Sequence, residues 1–337
     1  MATQGTIRLA HGSGGKLTHD LVERMFLPRF RNAVLEELAD AARVAIGGLR
    51  LAFTTDSYVV KPLFFPGGDI GRLAVSGTVN DLAVVGARPL FVSSALIIEE
   101  GIEEELLVRV TDSMHAAAAE AGVEIVAGDT KVVEKGGADG LFINTSGLGV
   151  IDGEIDLGPH RVKAGDRVLV SGSVADHGIA VMAARQELGL EPPIETDCAP
   201  LGGLVADLLA LGQAIRFMRD PTRGGVAMSL NEMALQAEKV VVIDETEVPV
   251  KESVRSACEL LGFDPLYVAN EGKVVAIVAA EAADEAIGIL RQHPLGRDAR
   301  LIGEVADGER PHVVLRTAIG GRRIVDMPVG EQLPRIC

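Results

Sequence analysis

The stretch Asp220-Pro221-Thr222-Arg223-Gly224-Gly225 stands directly before an apolar helical pattern over 226–237. Its proline fixes one backbone angle, its glycines allow close main-chain approach, and the amides that open the helix can receive an anion. A plain helix start explains the same letters, and Asp220 alone does not separate the two. Outward from it, the pattern predicts a strand at 240–243, a helix at 250–261, a strand at 274–279 and a helix at 282–292, with strands near 300–305 and 313–315. Upstream lie a strand and glycine turn at 168–173 and helices at 178–188 and 204–211, separated by a proline loop at 191–200. Such alternation predicts an α/β domain over 153–322. Ahead of its buried strand, Asn270-Glu271-Gly272-Lys273 is either a pocket edge or an exposed hairpin corner.

The first half reads as a second α/β (α+β) unit over 41–152, preceded by a glycine-rich arm and helix over 1–40. That arm carries His11-Gly12-Ser13-Gly14-Gly15-Lys16-Leu17-Thr18 before a helical stretch at 17–27. It is not a Walker A loop, because Leu17 follows the lysine and Ala10 stands where the first glycine belongs. Phosphate contact and a flexible arm both fit it. A strand at 51–57 ends in Thr55-Asp56. A helix over 72–85 places Asn80-Asp81 inside an apolar run, where a carboxylate needs a cation or hydrogen bonds unless it faces solvent. A strand at 124–127 runs into Gly128-Asp129-Thr130-Lys131, then a loop to residue 140 and a returning strand at 141–150. Acids recur at strand ends, where α/β sheets tend to place ligands, although a single Asp there is often turn chemistry alone.

A net charge of -16 disfavours a nucleic-acid surface, since that affinity comes from Lys and Arg neutralising phosphates. Nucleotides stay possible if divalent ions supply positive charge. No apolar run is long enough to span a membrane and the N-terminus lacks a signal-peptide pattern, so a cytoplasmic protein is expected. The cysteines Cys198, Cys258 and Cys337 are odd in number and widely spaced, which fits neither a disulfide framework nor a zinc site. Cys337 closes a tail, 323–337, whose prolines Pro328 and Pro334 resist helix formation. From residue 324 that tail reaches at most about 50 Å, enough for an inward or an outward pose. The thiol is a candidate carrier, and a frayed end explains it equally well.

Taken together, the glycine-rich arm, Thr55-Asp56, Asn80-Asp81, Gly128-Asp129-Thr130, Asp220-Pro221-Thr222-Arg223-Gly224-Gly225 and Asn270-Glu271-Gly272-Lys273 resemble the ATP-binding superfamily of aminoimidazole ribonucleotide synthetase and selenophosphate synthetase. With Pro334-Arg335-Ile336-Cys337 added, the chain resembles the HypE family of hydrogenase maturation factors. The resemblance implies a two-domain synthetase-like fold, a dimerising N-terminal domain and a flexible C-terminal tail that lies outside the folded cores. It implies a homodimer that binds ATP and Mg2+, receives a carbamoyl group on Cys337 from HypF, dehydrates it to a thiocyanate, and passes cyanide to iron in a HypC-HypD complex. On that reading Asp56, Asp81, Asp129 and Asp220 are metal candidates. Gly14, Gly15, Lys16, Asn80, Thr130, Thr222, Arg223 and Gly224 are nucleotide candidates. Glu271 is the base, Lys131 orients the tail or phosphate, and Arg335 modestly favours the thiolate.

The chemistry agrees with those residue types. An amide oxygen leaves poorly at neutral pH, and phosphoryl transfer converts it into departing phosphate, whose developing charge cations stabilise. Two rival readings remain. One is a small-molecule phosphotransferase of the selenophosphate or ribonucleotide type, against which the lack of a cysteine near the glycine-rich arm weighs. The other is an ATP-holding protein with a docking tail.

Overall fold

A computed structural model describes residues 6–328, 333 and 335–337. Helices α1 (Lys16–Leu21) and α2 (Leu27–Phe30) flank a π-helical turn, Val22–Phe26, so the helix expected over 17–27 forms and carries a π-helical turn within it. Pro28 falls directly after the π-helical turn, at the start of α2.

Next come strands β1 (Ala42–Ile46) and β2 (Leu49–Tyr58), then a two-residue hairpin of β3 (Phe64–Phe65) and β4 (Gly68–Asp69). Helix α3 (Ile70–Val84) is capped by Asp69, whose Oδ1 accepts from the amides of Gly71 and Arg72 at 2.7 and 3.2 Å. It is buried nearly all round, as its almost continuous apolar sequence requires. A Cβ at Gly77 would stand 2.2 Å from the Tyr58 hydroxyl, so only glycine lets α3 lie this close to β2. After α3 follow β5 (Arg88–Glu99), the amphipathic α4 (Glu104–Ala121), β6 (Glu124–Val133) and β7 (Leu141–Val150). The first sheet has the order β1-β2-β7-β5-β6, with β5 and β6 parallel and its other pairs antiparallel. Strand β6 is exposed along almost its whole length and extends to Val133, through residues expected to form a loop.

The second half contributes β8 (Arg167–Val170), α5 (Asp176–Arg185), α6 (Gly202–Leu209), β9 (Ile215–Arg219), α7 (Gly225–Ala237) and β10 (Val240–Asp244). It continues with α8 (Glu252–Leu261), β11 (Val275–Val278), α9 (Ala283–Gln292), β12 (Arg300–Ala306), β13 (His312–Arg316) and β14 (Arg322–Val325). The second sheet has the order β14-β13-β10-β12-β8-β11-β9. Strand β14 pairs with β13, so the second domain continues past residue 322, where the tail was expected to begin.

The largest correction concerns that tail. Leu333 and Ile336 are 8 and 2% exposed and join one apolar core with residues of α3, α4, α5 and α8, and Cys337 packs against it. The tail's end lies inside the fold because these two side chains fill an apolar space between the halves, which water-exposed positions would not offer them. Helix α7 shows why the opening motif needs its glycines. Gly224 and Gly225 have φ of +79° and +61°, and a Cβ on Gly225 would meet the Leu266 and Val268 carbonyl oxygens at 2.5 and 2.6 Å.

Candidate active site

The ends of β2, α3 and β9 meet the N-terminal arm at a cleft of about 390 Å³. Gly14, Asp40, Asp56, Asp81, Asp220, Thr222 and Arg223 line it. One carboxylate oxygen each from Asp40, Asp81 and Asp220 lie within 4.8 Å of one another, a spacing that suits one cation. Asp40 is held by Arg219, Nε to Oδ1 2.9 Å, and Arg219 also binds Glu232. Asp81 accepts a hydrogen bond from the Thr54 hydroxyl at 2.8 Å. The buried Oδ2 of Asp220 has no hydrogen-bond partner among the described residues.

Crowding these acids together without compensation makes them hard to ionise. Burial, then Asp40, pushes Asp220 up to about 8. Burial raises Asp81 well above the carboxylate range, and Asp56, Asp220 and Asp40 push it further. Asp40 is raised by burial against the opposing pull of Arg219. A divalent cation would reverse each of these penalties, and an unpartnered buried oxygen beside two more carboxylates is the donor set that magnesium uses with phosphate and water.

Glu271 is 2% exposed and lies near enough to the cleft for the charges of Asp220 and Asp56 to act on it. Its amide donates to Asp197 Oδ1 at 3.1 Å, and Lys273 Nζ holds the other Asp197 oxygen at 3.1 Å. Its Oε1 is buried and has no hydrogen-bond partner among the described residues. Burial raises its pKa far above the usual range, with Asp220, Asp197 and Asp56 adding to the effect and Arg223 opposing it. A carboxylate in that state binds a proton well, so it fits the work of a base.

The chain's last residues dock beside this cleft, where Leu333 and Ile336 line a small neighbouring pocket with Arg223 and Gly224. Val59 N donates to the main-chain oxygen of Cys337 and Lys61 N to that of Arg335, each at 3.2 Å, so the tail pairs with the segment that follows β2. Burial pushes the Cys337 thiol up to about 12 against the attraction of Arg223, with Glu271 and Asp56 pushing the same way as burial. The docked sulfur is therefore a neutral thiol. Arg335, expected to help the thiolate, turns instead to the Val59 carbonyl at 3.0 Å and to Asp139. Arg223 is the cation that faces the sulfur.

Among the expected residues, Gly14, Asp56, Asp81, Asp220, Thr222, Arg223, Glu271 and Cys337 thus come together. Gly224 opens α7 beside them, and Gly15 lies against the Pro328 carbonyl, which a Cβ there would meet at 2.3 Å. Lys16 does not join: it is exposed and pairs with Asp20 at 3.1 Å. Asp129, Thr130 and Lys131 lie on exposed β6, where Asp129 and Lys131 pair with each other at 2.6 Å, so within one chain neither reaches the cleft. Asn80 is fully buried, and its amide donates to the Ala199 and Glu271 carbonyls at 3.1 and 3.2 Å while its oxygen accepts from Leu201 N at 2.7 Å. With both donor hydrogens engaged it clamps the Glu271 loop onto α3 and has none for a nucleotide.

Sequence reading missed Asp40 and Arg219, and it quoted Asn270 within a motif without giving it a role. Asn270 ties the Glu271 loop to the opening motif, through Nδ2 to the Pro221 carbonyl at 2.9 Å, and its oxygen accepts from Ala175 N at 2.8 Å. Asp40 is a lone acid outside any periodic pattern, and Arg219 is marked only by standing next to Asp220.

Among the described residues no helix is long and apolar enough to cross a membrane. Residues 38–151 match the AIR synthase related protein N-terminal domain, and residues 163–316 match the C-terminal domain of the same family. The chain is 52% identical over 334 residues to the carbamoyl dehydratase HypE of Rhizobium leguminosarum bv. viciae, covering 99% of this chain and 95% of that protein. A crystal structure of a HypE–HypF complex superimposes with a TM-score of 0.87 at 52% identity, over 91% of this chain and 99% of that one. The crystal structure of hydrogenase maturation protein HypE in complex with ATP superimposes at 0.83 with 48% identity, over 98% of this chain and all of the other, 100%. The chain belongs to the HypE carbamoyl dehydratase family of AIR synthase related proteins.

Proposed function

We propose that this protein carries a carbamoyl group on Cys337 and dehydrates it, with ATP, to a thiocyanate that supplies cyanide for hydrogenase iron. One observation carries the reading: the docked tail brings Cys337 to Arg223, Glu271 and Asp56, beside the acid cluster. The S-carbamoyl oxygen attacks the terminal phosphorus of ATP and releases ADP. Breaking the C–O bond then expels inorganic phosphate. Nitrogen loses both protons and closes the triple bond to carbon. Glu271 takes one of those protons and the departing phosphate the other, while Arg223 stabilises negative charge on the oxygen as it is phosphorylated. Asp40, Asp81 and Asp220 would hold magnesium, which supplies charge neutralisation at the phosphates.

A neutral docked thiol is a poor nucleophile, so loading by HypF belongs to a tail that has left the cleft. Release to a HypC-HypD complex requires the same exit. The exposed strand β6, with Ile125, Val126 and Val132 at 40, 58 and 67% exposure, supports pairing of the first sheet with a second copy. In such a homodimer Asp129, Thr130 and Lys131 would face the partner.

A small-molecule phosphotransferase has no use for a terminal cysteine docked beside Arg223 and Glu271. Mass spectrometry of the C-terminal peptide after incubation with HypF, carbamoyl phosphate and ATP tests the reading. The expected result is a carbamoyl adduct on Cys337 that loses the elements of water only when ATP is present. An unmodified Cys337 beside active HypF overturns it.

A further inference from the structure

The penultimate carbonyl of the tail is held by a side chain that the chemistry above leaves unused. His177, in the first turn of α5, is fully buried, and its Nε2 lies 2.7 Å from the Ile336 oxygen. A carbonyl only accepts, so Nε2 carries the proton and donates. Nδ1 lies 2.8 Å from the Thr196 hydroxyl, which in turn accepts from the Cys198 amide at 3.1 Å. The neutral ring therefore accepts at Nδ1 from Thr196, and that bond fixes the tautomer that serves the tail. Phe65 meets the imidazole edge-on at 5.5 Å and limits its rotation.

The other contacts to the tail differ in kind. Val59 and Lys61 act through main-chain amides, and Arg185 reaches the Arg335 oxygen from a more exposed position at 2.6 Å. His177 alone among these is a buried side chain with its ring oriented from both sides. It acts on the peptide unit that leads directly into Cys337, so the direction of that bond bears on where the sulfur stands relative to Glu271 and Arg223.

We propose that His177 is a positioning residue for dehydration: its Nε2–H, oriented by Thr196, seats the Ile336 carbonyl and so registers the Cys337 sulfur in the cleft. The inference rests on the dehydratase reading and adds a residue to it. Seating favours dehydration and opposes loading, since HypF needs the thiol outside. Loss of the bond should therefore move the two half-reactions apart, which a merely structural histidine would not do.

The test compares full-length wild type with His177→Ala, His177→Gln and Thr196→Val, each checked for an unchanged melting temperature and ATP affinity. Alkylation of Cys337 by iodoacetamide, followed on the C-terminal peptide, reports seating without any catalytic step. One lost hydrogen bond predicts alkylation faster by roughly tenfold in His177→Ala, and dehydration of the pre-carbamoylated chain slower by a similar factor. Loading by HypF stays at least as fast. Gln, which keeps an N–H donor, recovers part of the difference, and Thr196→Val, which frees the tautomer, shows a smaller shift in the same direction. If His177→Ala folds and matches wild type in alkylation and in the ratio of dehydration to loading, the inference fails. If it does not fold, Thr196→Val decides by the same two measurements. If wild type forms no thiocyanate, the dehydratase reading fails, while the alkylation rates still decide whether His177 seats the tail.

Discussion

Asp129-Thr130-Lys131 and Asp220-Pro221-Thr222-Arg223 offer nearly the same letters: an acid, a threonine and a cation. Their fates are opposite. Asp129 lies on an exposed edge strand, and a hydrogen bond from Lys131 holds its carboxyl below the usual range. Asp220 is buried beside Asp40 and pushed up to about 8, with an oxygen that has no hydrogen-bond partner among the described residues. Arg223, unlike Lys131, turns to the arm, donating to the Gly12 carbonyl at 2.7 Å, and faces the terminal thiol. The difference lies in what the rest of the chain packs around each turn. An acid paired with its own neighbour is complete, whereas one crowded against other acids is waiting for a cation.

The comparison can be broken in four ways. Replacing Cys337 by Ala removes the carrier itself, so all modification of the tail should vanish while ATP affinity, measured calorimetrically, stays near wild type. A large loss of affinity would mean the thiol builds the nucleotide site. Glu271→Gln keeps the shape of the base and removes its proton affinity, so loading should persist while thiocyanate formation slows by about 10²–10⁴ in single-turnover assays.

The third test uses pH. The carboxyls of Asp81, Asp220 and Glu271 are raised in the folded state, so the folded protein binds more protons than the unfolded chain once pH exceeds the ordinary carboxylate range. Metal-free stability should therefore fall as pH rises from about 4 towards 8, and magnesium should restore it. Asp220→Asn removes one of the repelling charges, so it should flatten the pH dependence and weaken the gain from magnesium in thermal melts. A metal-free protein that instead gains stability through this window would contradict the crowded-acid picture. The smallest effect belongs to Asp129→Asn, which should leave the melting temperature and its magnesium response unchanged. A shift comparable to that of Asp220→Asn would remove the distinction between the two turns.

Much of this was legible as letters. Alternating elements predicted strands of both sheets, an acid at a strand end pointed to Asp56, one before a helix to Asp220, and one inside an apolar helix to Asp81. What escaped depended on contacts between distant parts of the chain. Asp40 follows a short 3-10 turn and becomes a site residue only because Arg219, from β9, holds it there. Asn80 reads equally as a ligand or a clamp until the Ala199 and Glu271 carbonyls arrive from far along the chain. The inward tail depends on Leu333 and Ile336, two apolar residues in a short stretch with no periodicity, which find a core shared by four helices and strands of the first sheet. His177 looks like any polar residue at a helix start until Ile336 meets it.

The pairing of Val59 and Lys61 with the last residues has a kinetic meaning. A substrate joined to its own enzyme is present at an effective concentration set by the length of its tether, of millimolar order for a short flexible one. On the function proposed above, HypF and the cyanide acceptor must each compete with that local concentration for the same sulfur. Throughput is then governed by how often the tail escapes, and each protein molecule works as a shuttle whose traffic is paced by departures from its own cleft.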